Sequence, residues 1–217
     1  GPSAHENVSL LSPYIRHRII TEEEVMARAT SKFPLPKIEK FIQEVFWRTY
    51  WKGWLELRPK VWTDYKESIK KNDINQIYER IISLNSGIDC FDSWTQELLE
   101  TNYLHNHARM WYASIWIHTL KLPWSLGADL FLNNLLDGDP ASNTLSWRWV
   151  AGIQTKGKSY LAKDWNIQKF TKNRFEPKES DFSAIPAKVN YIEYKMNSIK
   201  FHETNEFDWN QSGLLVT

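Results

Sequence analysis

Helical periodicity runs along most of this chain, and no stretch sustains the apolar–polar alternation of a half-buried strand, so the sequence predicts an all-α domain. Thr21-Glu22-Glu23-Glu24 reads as a capping box with acids in the first turn, opening a helix to about Ser31. Phe33-Pro34-Leu35-Pro36 reads as a linker. A long helix is expected over 37–57, stopped before Pro59 because the residue preceding a proline disfavours helical geometry. Further helices are expected near 62–71, 74–85, 91–100, 106–121, 125–136 and 143–153, with Leu136-Asp137-Gly138-Asp139-Pro140 as a turn. The pattern weakens from Glu176. Residues 1–175 are therefore read as one helical domain and 176–217 as a mostly irregular tail packed on it.

Composition narrows the function. Twelve of the 217 residues are tryptophan, far above ordinary usage. Indoles supply large apolar area and stacking faces, so a cluster of them raises the odds of a flat aromatic ligand. No run approaches 18 consecutive apolar residues, which excludes an ordinary membrane-spanning helix. The single Cys90 forbids an internal disulfide and suits a reducing compartment, with the bacterial cytoplasm the first expectation. The chain starts at Gly1-Pro2-Ser3 without an initiator Met and reads as trimmed, so a longer gene product is expected. Net charge is only +1, but eight Lys/Arg and two acids fall between Arg148 and Lys178, an excess able to follow a phosphate backbone.

The residues that could carry chemistry sit in four places. On the long helix Glu44, Trp47, Arg48 and Trp51 share one face at i, i+3, i+4 and i+7. Charges among indoles suit a cavity wall, since buried charges need partners. A pairing of Glu44 with Arg48 on a plain helix is the simpler alternative. Asn106, Arg109 and Met110 fall within one turn of another helix, near Trp111 and Trp116. The Asp137-Gly138-Asp139 turn offers two carboxylates close to Asn143, Trp147 and Trp149; one could pair with Arg109 and the other accept from a ring N–H. Ser9 and Ser12 precede a helical region, where hydroxyls and backbone N–H groups can hold phosphate.

Taken together these pieces resemble the FAD-binding domain of the photolyase/cryptochrome family. The similarity is carried, in family order, by Ser9-Leu10-Leu11-Ser12-Pro13-Tyr14, Glu44-Val45-Phe46-Trp47-Arg48 and Tyr103-Leu104-His105-Asn106-His107-Ala108-Arg109-Met110. Leu135-Leu136-Asp137-Gly138-Asp139-Pro140-Ala141-Ser142-Asn143 and Trp147-Arg148-Trp149 complete it. The resemblance implies a helical fold and a non-covalent, bent FAD. In family terms Ser9, Leu11 and Ser12 would touch its phosphates with Phe41 nearby, and Arg48, Asn106 and Gly138 would also contribute to the cofactor site. Arg109 and Asp137 would pair beside the flavin, Asp139 would face its pyrimidine edge, and Asn143 its N5. Glu44, Trp47, Asn106, His107, Met110 and Trp149 would line the pocket for a flipped-out pyrimidine dimer, with Glu44 stabilising the dimer anion. Asn106 and Met110 resemble the cyclobutane-dimer enzymes. Trp147 and Trp124 match the flavin-proximal and middle members of the family's electron relay; Trp62 is a candidate for the third.

The departures are equally specific. Val8 stands where a phosphate-contacting Thr is common, His107 where an Arg contacts DNA, and Tyr103 where a Trp is common. The family's N-terminal α/β antenna domain is absent from these residues, so no second chromophore is expected here. Two functions follow from the resemblance. One is a lyase that repairs cyclobutane dimers under blue light by electron transfer from reduced FAD, better in single strands than in duplex. The other is a cryptochrome-like photoreceptor; a helical flavoprotein that has lost activity is a third. The expected partner is DNA containing pyrimidine dimers, with no membrane and no metal, and the chain is expected to act as a monomer.

Overall fold

The computed structural model describes residues 8–72 and 74–198, apart from the side chain at 74. Its elements are helices, with no strand among the described residues. A short helix α1, Ser12–Arg16, leads to α2, Glu22–Lys32. The capping box forms: Glu24 N donates to Thr21 Oγ1 at 3.2 Å, and Thr21 N donates to the Glu24 carboxylate at 2.8 Å.

Prolines start helices here more often than they stop them. The long helix α3 spans Leu35–Glu56, so Pro36 lies inside its first turn, and α4 spans Pro59–Lys70 with Pro59 as its first residue. A proline is tolerated there because a first-turn N–H has no helical partner to lose. Both helices therefore begin earlier than the expected 37 and 62. Helix α5, Ile74–Ile82, ends three residues before the expected limit, at a turn where Leu84 takes a φ of +53°. Helix α6 covers Asp89–Thr101 and stops at Asn102 in the left-handed region, φ +55°.

The stretch expected as one helix over 106–121 is two elements. Helix α7, Asn106–Ser114, passes into a π-helical turn, Ile115–Thr119, whose Leu120 N bonds to Ile115 O at 2.9 Å. Helices α8, Trp124–Asn134, and α9, Pro140–Val150, pack on one another, and Gly127 makes that contact close. A Cβ at Gly127 would overlap the Trp147 ring. A further helix, α10 at Asp164–Phe170, lies in a region from which the sequence predicted none.

Burial is uneven. Helices α6 to α9 carry the core, where Trp111, Tyr112 and Trp116 are wholly buried. Helix α3 is the opposite: of its 22 residues only Ile38 is buried, although Trp47, Tyr50, Trp51 and Trp54 lie along it. It packs on α2, α4 and α9 without becoming part of the core.

After a single 3₁₀ turn at Glu179–Asp181, the described tail residues form neither helix nor strand. Phe182, Ala187 and Val189 pack against the core. Ser183 N donates to Thr119 Oγ1 at 3.1 Å and Ala187 N to His118 Nδ1 at 3.0 Å. Tyr194 OH donates to Asp64 at 3.0 Å and Asn197 N to Leu57 O at 2.8 Å.

Candidate functional site

The turn between α8 and α9 gathers the charges. Asp139 caps α9: its Oδ1 accepts from Ala141 N at 3.1 Å and Ser142 N at 2.9 Å. Its Oδ2 faces three cations, Arg48 Nη1 at 3.4 Å, Lys52 Nζ at 3.7 Å and Arg16 Nε at 3.9 Å. Arg16 Nε also donates to Gly138 O at 2.7 Å, which ties α1 to the turn. Arg48 therefore turns towards Asp139 and not to Glu44, its neighbour on the same helix face. Burial pulls the Arg48 guanidinium down from its ordinary range, opposed by Asp139 and then Asp137. The 3.4 Å contact to Asp139 is an ion pair without hydrogen-bond geometry, so Arg48 Nη1 stays buried and without a hydrogen-bond partner.

The second carboxylate is held from α7. Arg109 Nη2 donates to Asp137 Oδ2 at 3.0 Å, while Arg109 Nε is fixed by Leu104 O at 2.7 Å. The Tyr103 ring lies 5.3 Å from that guanidinium, so the tyrosine at this position supports it by a cation–π contact. Asp137 Oδ1 is buried with no partner. On α9, Asn143 Nδ2 donates to Ala128 O at 2.7 Å, which leaves Oδ1 as the free end of the amide.

These features fit FAD. The three cations outnumber Asp139 by two charges, the number a dinucleotide pyrophosphate carries. Arg48 Nη1, Asp137 Oδ1, Ser142 Oγ and Thr144 Oγ1 are all buried polar atoms without partners, a costly state that a polar ligand relieves. Helix α3 supplies apolar surface for a flat ring, since its aromatic residues are not absorbed by the protein's own core. Leu11 and Phe41 help to line a cavity of about 470 Å³ between α2 and the start of α3, together with Val25, Ala29, Phe33 and Ile38. Ser12 is half-buried at the start of α1, and Ser9 is exposed.

The residues assigned to the substrate pocket lie at the surface. Glu44 and Asn106 are exposed and Met110 is half-buried. Trp47 is 46% exposed and stacks on Trp51 at 5.5 Å, with Tyr50 edge-on at 5.4 Å. Trp149 is 37% exposed and stacks on Tyr160 at 5.6 Å. His107 lies between Trp111, at 5.5 Å, and Phe170, at 5.0 Å, and burial lowers its pKa. Helices α3 and α7 both pack on α9, so the elements bearing Trp47, Asn106 and Trp149 are neighbours.

Trp147 is buried, edge-on to Phe131 at 5.1 Å and to Trp116 at 6.0 Å. Trp124 stacks on Tyr65 at 5.7 Å, and Tyr65 lies 5.1 Å from Trp62. A tyrosine thus stands between the two tryptophans. Its hydroxyl is buried without a hydrogen-bond partner, and burial raises its pKa. Arg148, counted in the basic stretch, is turned inward: its guanidinium donates to Gln154 Oε1 and Ile153 O and lies 5.1 Å from the Tyr194 ring. That corrects its reading as a phosphate contact. The Cys90 thiol is buried and pushed up to about 12, which leaves no thiolate for catalysis.

Arg16, Lys52, Tyr65, Tyr160 and Phe170 were not singled out by the sequence reading. Lys52 lies one turn from Arg48 and Tyr65 one turn from Trp62, so helical spacing alone could have found those two.

An all-helical bundle with a buried, cation-rich polar wall beneath an unabsorbed aromatic helix defines a protein that holds an anionic dinucleotide with a flat ring. Residues 41–180 match the family model of the FAD binding domain of DNA photolyase, and the chain belongs to that family, whose cofactor is FAD. A deoxyribodipyrimidine photo-lyase of Streptomyces griseus is 34% identical over 155 residues, covering 70% of this chain and 34% of the relative. One from Vibrio cholerae is 24% identical over 167 residues, 73% of this chain and 36% of the relative. The crystal structure of a bacterial class III photolyase from Agrobacterium tumefaciens superposes with a TM-score of 0.63 at 26% identity, covering 77% of this chain and 37% of that one. The chain thus spans about a third of the length of these relatives.

Proposed function

We propose that this domain repairs cyclobutane pyrimidine dimers in DNA under blue light, and that it favours dimers in single strands. When bound, FAD supplies the light-driven one-electron chemistry. Arg16, Arg48 and Lys52 balance the pyrophosphate, and Ser9, Leu11 and Ser12 hold its other side. The Arg109–Asp137 pair fixes the wall beside the ring, and Asp139 lies at its polar edge. Asn143 offers Oδ1, an acceptor suited to the N–H of a reduced flavin. Glu44 stabilises negative charge on the dimer by a hydrogen bond, Trp47 and Trp149 pack on its bases, and Asn106 holds one of them.

The observation that supports this reading best is the exposure of Trp47, Glu44, Asn106 and Trp149 on helices α3, α7 and α9, of which α3 and α9 also carry Arg48 Nη1, Ser142 Oγ and Thr144 Oγ1, buried without hydrogen-bond partners. Exposed aromatic and polar side chains beside a closed cofactor wall are what repair of a large substrate requires. The strand preference follows from cost. Extruding a dimer from duplex takes a few kcal/mol and very little from a single strand. At 107 an uncharged ring stands where the family places a phosphate-gripping cation.

The test is illumination of the reduced, FAD-loaded protein with a dimer-containing oligonucleotide, single- and double-stranded, with dimer loss followed in each. No repair of either form rejects the enzyme reading; equal repair discards only the strand preference. One observation favours the photoreceptor instead: the tail residues 186–190 share a cavity of about 500 Å³ with Trp124, one end of the Trp124–Tyr65–Trp62 line. A sensor would show light-dependent protease sensitivity of the tail and no dimer loss.

A further inference from the structure

Helix α10 is fixed on its inner side and open on its outer side. Inward, Trp111 Nε1 donates to Asn166 Oδ1 at 3.0 Å, and Phe170, one turn on, stacks on His107 at 5.0 Å. These contacts anchor the helix to α7 directly beside Asn106. Outward, Trp165 is 59% exposed and has no ring contact or hydrogen bond among the described residues. Lys169 lies one turn further on the same face and is exposed. The helix ends in a left-handed turn, with φ +53° at Lys172 and +59° at Asn173, which presents Lys172 and then Arg174 to solvent. Lys163, just before the helix, is also exposed, and Asp164 is the one acid between 154 and 175.

An exposed indole among four cations is unfavourable as plain surface and has no role in the core. It has the two components of a single-strand binding face, a base-stacking ring and cations spaced along a backbone. The Phe170–His107 stack carries this face to the edge of the dimer pocket. From Trp165 to Phe170 the helix rises about 7.5 Å, the scale of one nucleotide of an extended strand.

We infer that the outer face of α10, with Trp165, Lys169 and Lys172 as its anchors, binds the unpaired DNA strand flanking the lesion, Trp165 stacking on a base and the lysines contacting phosphates. This rests on the repair reading for the lesion itself, but the face requires no damage to bind. It also accounts for the uncharged ring at 107: phosphate contact has moved from α7 to the helix stacked upon it. Duplex DNA offers no unpaired base to Trp165, so the face reinforces the preference for single strands.

The experiment measures binding of the FAD-loaded protein to a fluorescent, undamaged oligothymidylate and to an abasic oligomer of equal length, by anisotropy over a salt series. Trp165→Ala should weaken oligothymidylate binding about tenfold and leave the abasic oligomer unaffected. Lys169→Ala combined with Lys172→Ala should weaken both and lower the salt slope by about 1.4. Trp165→Phe should recover most of the affinity. FAD content and melting temperature should match the unaltered protein in every variant. Variants that bind as tightly as the unaltered protein overturn the assignment, as does an unaltered protein that binds neither oligomer. Equal weakening of both oligomers by Trp165→Ala removes the stacking role. The two readings separate, because loss of binding with repair of saturating single-stranded substrate intact supports the α10 face, whereas normal binding without repair rejects the repair reading alone.

Discussion

Asp139 uses its two oxygens for different purposes. One caps α9 and the other balances cations, so the same side chain starts a helix and sets the charge of the wall. Arg48 is the cation with most to gain from a ligand, because its buried Nη1 has no hydrogen-bond partner. Arg48→Ala should weaken FAD binding about 10- to 100-fold, the range expected for one charged hydrogen bond. Arg48→Lys should fall between, because an ammonium lacks the planar fork. Titration of apoprotein by the change in flavin fluorescence measures both; unaltered affinity in Arg48→Ala would remove Arg48 from the cofactor site. The relay is tested in the same way. Trp147→Phe should slow photoreduction of oxidised FAD strongly and Trp124→Phe somewhat less, since Phe is not oxidised at a comparable potential. Unchanged rates in both would direct attention to Trp116, which lies edge-on to Trp147.

At the scale of elements, the contact of α8 with α9 depends on a missing side chain. Gly127→Ala drives a methyl into the Trp147 ring and should cost about 1–3 kcal/mol, readable by thermal or denaturant unfolding. An unaffected melting temperature would mean that the two helices part without cost. The tail has a titratable fastening. His118 bonds Val150 O through Nε2 at 3.0 Å and accepts Ala187 N–H at Nδ1, so the ring must be neutral. Burial lowers its pKa from 6.5, opposed by the bond to Val150 and aided to a lesser degree by Lys121. The unfolded chain then binds the proton more readily than the folded one. Stability is full above pH 6.5 and falls as the pH drops from there through the lowered folded value. The melting temperature should decline on acidification through that window, and His118→Gln should flatten the decline. An identical slope in that variant would assign the effect elsewhere, with His107 the next group to test.

Across the whole molecule, the cofactor should act as part of the core. The buried polar atoms without hydrogen-bond partners and the α3 aromatics left outside the core leave the apoprotein short of contacts that a ligand completes. FAD at a hundredfold excess over its dissociation constant adds about 2.7 kcal/mol, a rise of roughly 5–10 °C in melting temperature for a domain of this size. No shift with added FAD would separate the cofactor from this wall. Capping chemistry and helical spacing are local, which is why the capping box and the existence of most helices were legible in the sequence. Their starts were less so, because a proline that reads as a linker or a stop also fits the first turn of a helix, as at Pro36 and Pro59. The π turn at Ile115–Thr119 and helix α10 were not legible; neither has a local signal strong enough to distinguish it from a continued helix or a basic loop. The same division holds for the site. The chain order of Glu44, Asn106, Asp137, Asn143 and Trp149 carries the family resemblance by itself, since spacing and residue type are all such a comparison needs. Which of these touch was a tertiary matter. Arg48 pairs across the bundle with Asp139 and not along its helix with Glu44, Arg148 points inward, and Phe170 reaches His107 from 63 residues away. Sequence determined most of the elements and the inventory of groups, because those depend on near neighbours along the chain. Only packing decided the partners, because a buried charge goes to whichever opposite charge the folded chain brings within reach.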